Sequence, residues 1–191
     1  IARINVATYQ AVSGAGRKTI EALAGQTARL LNGKPLELED GEPQFAFNAV
    51  PHIDTFQDNG YTREEMKMVW ETRKILEDPE IMVHATAVRV PVYYVHSEAI
   101  NIETKKPISA KKVREILSSA PGVSVMDEAV SGGYPTPVTE AAGHDPVFIG
   151  RIRDDISHPQ GINLWVVADN IRKGAALNSV QIAEIMAENH L

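Results

Sequence analysis

The chain has 191 residues, 43% apolar and 23% charged, with 19 Lys and Arg against 25 Asp and Glu, a net charge of −6. That is the composition of a globular protein long enough to bury a real core, and its acidic balance argues against nucleic acid or an anionic membrane as a partner. No apolar run approaches the 18 or more residues of a membrane helix. There is no cysteine, hence no disulfide, thiolate metal site or cysteine nucleophile in this sequence.

Ile1–Tyr9 is rich in β-branched residues and reads as a strand. A chain rarely opens inside an element on a residue other than Met, so residues are expected ahead of Ile1. Ser13-Gly14-Ala15-Gly16 is a small-residue turn. From Arg17 to Leu31, Ile20, Leu23, Ala24, Thr27, Leu30 and Leu31 follow a 3.6-residue period and predict an amphipathic helix, ended by Asn32-Gly33 and Pro35. A polar loop leads to a short apolar strand at Gln44–Val50. Thr62-Arg63-Glu64-Glu65 is a capping box opening a helix to Leu76. Ile81–Val90 and His96–Ile102 read as a strand pair around Pro91. Ser109 caps a helix with Val113, Ile116, Leu117 and Ala120 on one face, followed by a strand at Val123–Met126. After a long Gly- and Pro-containing loop over 127–145 come strands Pro146–Arg153 and Ile162–Ala168, and a final helix Ile171–Asn189. This order predicts an α+β fold, a mixed β-sheet with helices on one face.

Three groupings can carry chemistry. The Ser13–Gly16 turn sits between a strand and a helix, where backbone N–H groups can face a ligand. As a dinucleotide fingerprint it lacks the third glycine and an acidic residue at the end of a following strand about 20 residues on, so a plain tight turn is the competing reading. Arg89 and His96 are seven residues apart, which in one continuous strand places them on opposite faces. A turn at Pro91 instead lets Arg89 end one strand and His96 begin its neighbour, with both side chains in one cleft. Arginine supplies a planar fork for a carboxylate and histidine a proton exchanger. The structural alternative is an Arg89–Glu98 pair and a satisfied histidine. Glu64 and Lys67 share one helix face, either as site residues or as a solvated salt bridge. The remaining histidines have no ligand spacing, and no metal site is expected.

Together Thr8-Tyr-Gln-Ala-Val-Ser-Gly-Ala-Gly16, Thr62-Arg-Glu-Glu-Met-Lys-Met68, Arg89-Val-Pro-Val with His96-Ser-Glu98, Gly150-Arg-Ile-Arg153 and Trp165-Val-Val-Ala-Asp-Asn170 with Lys173-Gly-Ala-Ala176 resemble, in order, the C-terminal half of aspartate-semialdehyde dehydrogenase. The resemblance implies a cytoplasmic, homodimeric NADP-dependent enzyme that reduces aspartyl-β-phosphate to aspartate semialdehyde and phosphate for lysine, threonine, methionine and diaminopimelate synthesis. It implies the fold of the C-terminal domain in the glyceraldehyde-phosphate-dehydrogenase-like superfamily. Residues 1–169 would form the catalytic and dimerisation domain, and the helix at 170–191 would pack on a nucleotide-binding domain. By motif, His96 resembles the acid/base and Gln10 the glutamine beside the thioester. Arg89 resembles the clamp on the substrate carboxylate, Glu64 a further substrate contact and Lys67 the phosphate-binding lysine. Ser13, Gly14 and Asn170 resemble cofactor contacts. Val95 stands where many relatives are expected to carry a small residue. The cysteine nucleophile is expected just ahead of Ile1, so this chain alone is expected to be inactive. N-acetylglutamyl-phosphate reductase shares the chemistry, but the Arg89-to-His96 spacing followed by Ser97-Glu98 favours the aspartate enzyme. A non-enzymatic dimeric interaction module would have no need of Gln10, Arg89 and His96 together.

Overall fold

The computed structural model describes residues 1–190. Its centre is a six-stranded sheet in the order β2-β1-β3-β6-β5-β4, built from β1 (Arg3–Gln10), β2 (Met82–Arg89), β3 (His96–Glu103), β4 (Val123–Val125), β5 (Val147–Asp154) and β6 (Gly161–Ala168). β1 pairs in parallel with β2 and antiparallel with β3. β6 is antiparallel to β3 and β5, and β4 is parallel to β5. The sheet is therefore mixed, as the sequence predicts.

One expectation about the strands is corrected. β2 and β3 are not neighbours, because β1 lies between them and residues 90–95 cross over its C-terminal end. Three backbone hydrogen bonds anchor this crossing: Val12 N–H to the Val92 carbonyl (2.9 Å), Ser13 N–H to Tyr93 (3.1 Å) and Val90 N–H to Gln10 (3.0 Å).

The α-helices are α1 (Arg17–Leu31), α2 (Arg63–Ile75), α3 (Ala110–Ser118) and α4 (Leu177–His190). Val6, Ile100 and Leu164 share one side of the sheet by register. The α3 side chains Val113 and Leu117 pack on that side with Ile149, Ile152 and Ile162. Gln10, two pleats beyond Val6, faces the same way and meets Glu64 of α2. Both helices thus cover one face, while Asn5, Tyr9, Met82 and His84 on the opposite face are exposed. Ile116, expected on the packed side of α3, lies at its rim and is 49% exposed.

The capping box of α2 forms as predicted. Thr62 Oγ1 accepts from Glu65 N–H, and Glu65 Oε2 accepts from Thr62 N–H at 2.8 Å. Glu65 Oε1 also accepts the Ala87 N–H at the outer edge of β2 (3.0 Å), so one carboxylate both starts the helix and fastens it to the sheet.

The strand expected at Gln44–Val50 does not form. Buried Gln26 of α1 accepts the Phe45 and Ala46 N–H groups on Oε1 (2.7 and 3.1 Å) and donates to the Pro43 carbonyl (3.2 Å). Phe47 is left-handed at φ 58°, which ends any extended run. Only Val50 pairs, in an isolated bridge to Arg89. The long loop contains a π-helical turn, Pro137–Ala141, whose Ala141 closes a small core with Val95 and Val167. The final helix is divided into a π-helical turn, Arg172–Ala176, and α4. Val180, Ile182, Ile185 and Met186 are each more than half exposed. Leu191, the last residue of the expected terminal segment, lies outside the described residues.

Candidate active site

Gln10 and Arg89 are partners in the parallel β1–β2 ladder, and Tyr9 pairs with Ser97 in the antiparallel β1–β3 ladder. The ladder therefore sets His96 beside Gln10, where β1 and β2 end and β3 begins. Alternation turns all three side chains to the helix-covered face. They line a cleft of about 380 Å³ with Gly14, Glu64, Lys67, Ile53 and Asp54. The expected juxtaposition of Arg89 and His96 is present, with β1 inserted between their strands.

Glu64, in the first turn of α2, joins the helix to the strand ends. It accepts from Gln10 Nε2 at 3.2 Å and from Lys67 Nζ at 3.0 Å. Burial pushes its carboxyl up. The hydrogen bonds from Lys67 and Gln10, with the charges of Lys67 and Arg89, outweigh that and hold it below its ordinary value. Its hydrogen bond with Glu64 in turn raises the Lys67 ammonium. The pair is ionised at neutral pH, and Lys67 is 44% exposed at its side chain.

Arg89 is buried, and its Nη1 donates to the Ala11 carbonyl at 2.7 Å. It makes no bond to Glu98, so that structural alternative fails. Burial lowers the guanidinium and Glu64 raises it, without threatening its charge. Glu98 is itself pushed up by burial.

His96 Nδ1 accepts the Ala11 N–H at 3.1 Å. That contact requires an unprotonated Nδ1, so the neutral ring carries its proton on Nε2, beside Gly14. Burial and the neighbouring Arg89 charge lower the imidazole to about 4, against weaker opposing effects of Val95, Glu64 and Asp169. Gly14 leaves room for this ring: a Cβ there would stand 3.2 Å from His96 Nε2 and 3.3 Å from Arg89 Nη1.

The three expected cofactor contacts also converge. Asn170 Nδ2 donates to Ser13 Oγ at 3.1 Å, and Asn170 Oδ1 accepts the Val95 N–H at 2.9 Å. Buried Asp169 fixes this corner by accepting the Gly143, Ile171 and Arg172 N–H groups. Sequence reasoning missed Ala11, which acts through its backbone, and Asp169. It flagged Val95 only for its size. Val95 is wholly buried and left-handed at φ 79°, a conformation costing a β-branched residue about 1–3 kcal/mol. Among the described residues no group of three His, Cys, Asp or Glu forms a metal site.

The family of semialdehyde dehydrogenase dimerisation domains matches residues 1–173. An aspartate-semialdehyde dehydrogenase of Legionella pneumophila is 63% identical over the whole chain, which covers 55% of that relative. The crystal structure of aspartate semialdehyde dehydrogenase II from Vibrio cholerae has a TM-score of 0.96 at 57% identity, covering all of this chain and 56% of that one. The same enzyme complexed with ASA gives 0.95 at the same identity and coverage. An NADP-bound aspartate semialdehyde dehydrogenase from Candida albicans gives 0.68 at 25% identity, covering 98% of this chain and 51% of that one. The chain thus spans about half the length of the relatives it matches. With the family match running from Ile1 past the Asn170 corner, this chain belongs to the semialdehyde dehydrogenase dimerisation-domain family.

Proposed function

We propose that this chain supplies the substrate-binding half of an NADP-dependent aspartate-semialdehyde dehydrogenase, which converts aspartyl-β-phosphate to the semialdehyde and phosphate. The observation that carries the reading is the single cleft joining Gln10, Glu64, Lys67, Arg89 and His96. The guanidinium of Arg89, with one donor tied to Ala11, presents its remaining N–H groups to the substrate α-carboxylate. Ionised Glu64 faces the substrate ammonium, and Lys67 offers free N–H donors to phosphate. An N-acetylated substrate has no ammonium for Glu64, which favours the aspartate substrate over acetylglutamyl phosphate.

Gln10 stands beside the reacting acyl group, and His96 exchanges protons there. The chain has no cysteine, and the thiol this chemistry requires belongs to the rest of the protein. Ser13, Gly14 and Asn170 fit a nicotinamide: neutral hydrogen-bonding groups and a bare Cα suit its uncharged carboxamide and flat ring. NADPH, when bound, would supply the hydride, and Ser13, Gly14 and Asn170 would hold its nicotinamide.

The same reading gives a cytoplasmic homodimer with residues 1–169 as the catalytic and dimerisation domain. The open sheet face with Tyr9 and Trp165, ring centroids 5.7 Å apart, is the self-association surface. The segment from Asn170 onward, with α4 presenting its apolar side chains, packs on the nucleotide-binding domain. The test is phosphate-dependent NADP reduction by aspartate semialdehyde. The full-length protein is expected to turn over and the isolated chain to remain at background. Turnover with acetylglutamate semialdehyde but not aspartate semialdehyde would overturn the reading.

A further inference from the structure

His96 enters its strand directly from a residue in an unfavourable backbone conformation. Val95 has φ 79°, a region that β-branched residues adopt least readily. It persists only where the surroundings over-determine it, and here three contacts do so. Its N–H donates to Asn170 Oδ1 at 2.9 Å. Its side chain is wholly buried with Ala141 and Val167. The ring of the next residue is held at Nδ1 by Ala11 N–H. Asn170 is itself fixed through Ser13 Oγ and through the capped turn that follows Asp169.

We propose that Asn170 is a positioning residue: by clamping the N–H of left-handed Val95 it aims the His96 imidazole into the cleft. The inference rests on the catalytic reading of His96, and it adds to Asn170 a role distinct from cofactor contact. The amide divides between the two. Its oxygen accepts the Val95 N–H at 2.9 Å and lies 3.3 Å from Ser13 Oγ, one N–H serves Ser13 at 3.1 Å, and the second N–H is left for a ligand. If the clamp is released, the backbone at Val95 relaxes toward negative φ and carries the imidazole away from Gly14 and Arg89.

A double-mutant cycle in the full-length protein separates the two roles. Asn170→Ala is expected to lower kcat about 10- to 100-fold with the KM for aspartate semialdehyde within about threefold. Glycine adopts positive φ at little cost, so in a Val95→Gly background the same Asn170→Ala change should cost at least about fivefold less in kcat, the remainder being the lost cofactor contact. A pure cofactor contact predicts the same loss in both backgrounds, and equal losses overturn the proposal. Asn170→Asp keeps the acceptor for Val95, so whatever the lost N–H donors do to turnover, the ¹⁵N resonances of the His96 ring should stay close to the parent's. If Asn170→Ala does not fold, ring resonances displaced in Asn170→Asp overturn it instead. Independently of turnover, the ¹⁵N resonances of the His96 ring should move in Asn170→Ala and return toward the parent in the double variant. Unmoved resonances refute the clamp. Moved resonances in a parent protein that does not oxidise aspartate semialdehyde refute the enzymatic reading alone.

Discussion

Replacing Gly14 with Ala tests how tightly the cleft is assembled. Gly14 does not have positive φ, so alanine meets no backbone penalty, and loss of glycine freedom in the unfolded chain contributes about 0.4–1 kcal/mol of stability. The added methyl is a steric probe. It would stand 3.2 Å from His96 Nε2, 3.3 Å from Arg89 Nη1 and 3.3 Å from His96 Cε1, so its neighbours must yield by a few tenths of an ångström. Neither neighbour moves freely. His96 is held by the Ala11 N–H and Arg89 by the Ala11 carbonyl. Displacing either weakens a hydrogen bond worth about 0.5–1.5 kcal/mol, which roughly cancels the gain from the unfolded state. Net stability should therefore change by less than about 1 kcal/mol. Activity is more sensitive, because a 1 Å misplacement costs about 100-fold. A shift of a few tenths, applied to two groups at once, should lower kcat/KM by about 5- to 30-fold. The assay is steady-state NADP reduction with aspartate semialdehyde and phosphate in the full-length protein, beside a denaturant titration. A variant with kcat/KM within twofold of the parent would show that this close approach does no catalytic work.

The depressed His96 value gives a stability prediction. The unfolded chain protonates near 6.5 and the folded ring only near 4, so stability present above pH 6.5 is lost as pH falls toward 4. At 1.36 kcal/mol per unit the loss reaches roughly 3 kcal/mol. His96→Gln should remove that part of the slope, and identical parent and variant profiles would refute it. Arg89→Lys keeps the charge and loses the planar fork, with an expected 10- to 100-fold fall in kcat/KM; a change within twofold would make Arg89 a structural residue. Gln26→Ala leaves the Phe45 and Ala46 N–H groups without their acceptor and should cost about 2–4 kcal/mol in denaturant unfolding, whereas a cost below 1 would show that the 43–46 segment is held by other means. Trp165→Glu on the open sheet face should shift sedimentation toward monomer, and an unchanged dimer would move the interface elsewhere.

What the sequence disclosed follows the range of the forces involved. The Thr62–Glu65 capping box and the bounds of α1 depend on neighbours within a few residues, and both appear as read. The Arg89–His96 cleft was legible because Pro91 makes one continuous strand improbable. The insertion of β1 between their strands was not, since nothing local to residues 81–102 reports that an N-terminal strand takes the middle place. Gln44–Val50 has the apolar content of a strand, but Gln26, some 20 residues earlier, captures its backbone donors.

Val95 marks a different boundary. Glycine before His96 would have announced a left-handed turn, because that conformation is nearly free for glycine. Valine is the residue type from which extended backbone is ordinarily inferred. Here local preference and native conformation disagree, and the disagreement is resolved by Asn170, 75 residues away. The resemblance could place Asn170 near the cofactor by motif, but a motif has no means of expressing that its oxygen holds a strained backbone. Local preference and fold normally agree, and the exceptions concentrate where function fixes geometry. Of the five non-glycine residues at positive φ among the described residues, Phe47, Asp54, Glu77, Val95 and Arg151, Val95 alone is β-branched, and it stands immediately before the proposed acid/base. The same logic separates Gly14 from Gly16. Gly16, at φ 96° and with open space about it, is required by its backbone. Gly14 has an ordinary backbone and is required by the ring that packs on it, so only the assembled cleft explains it.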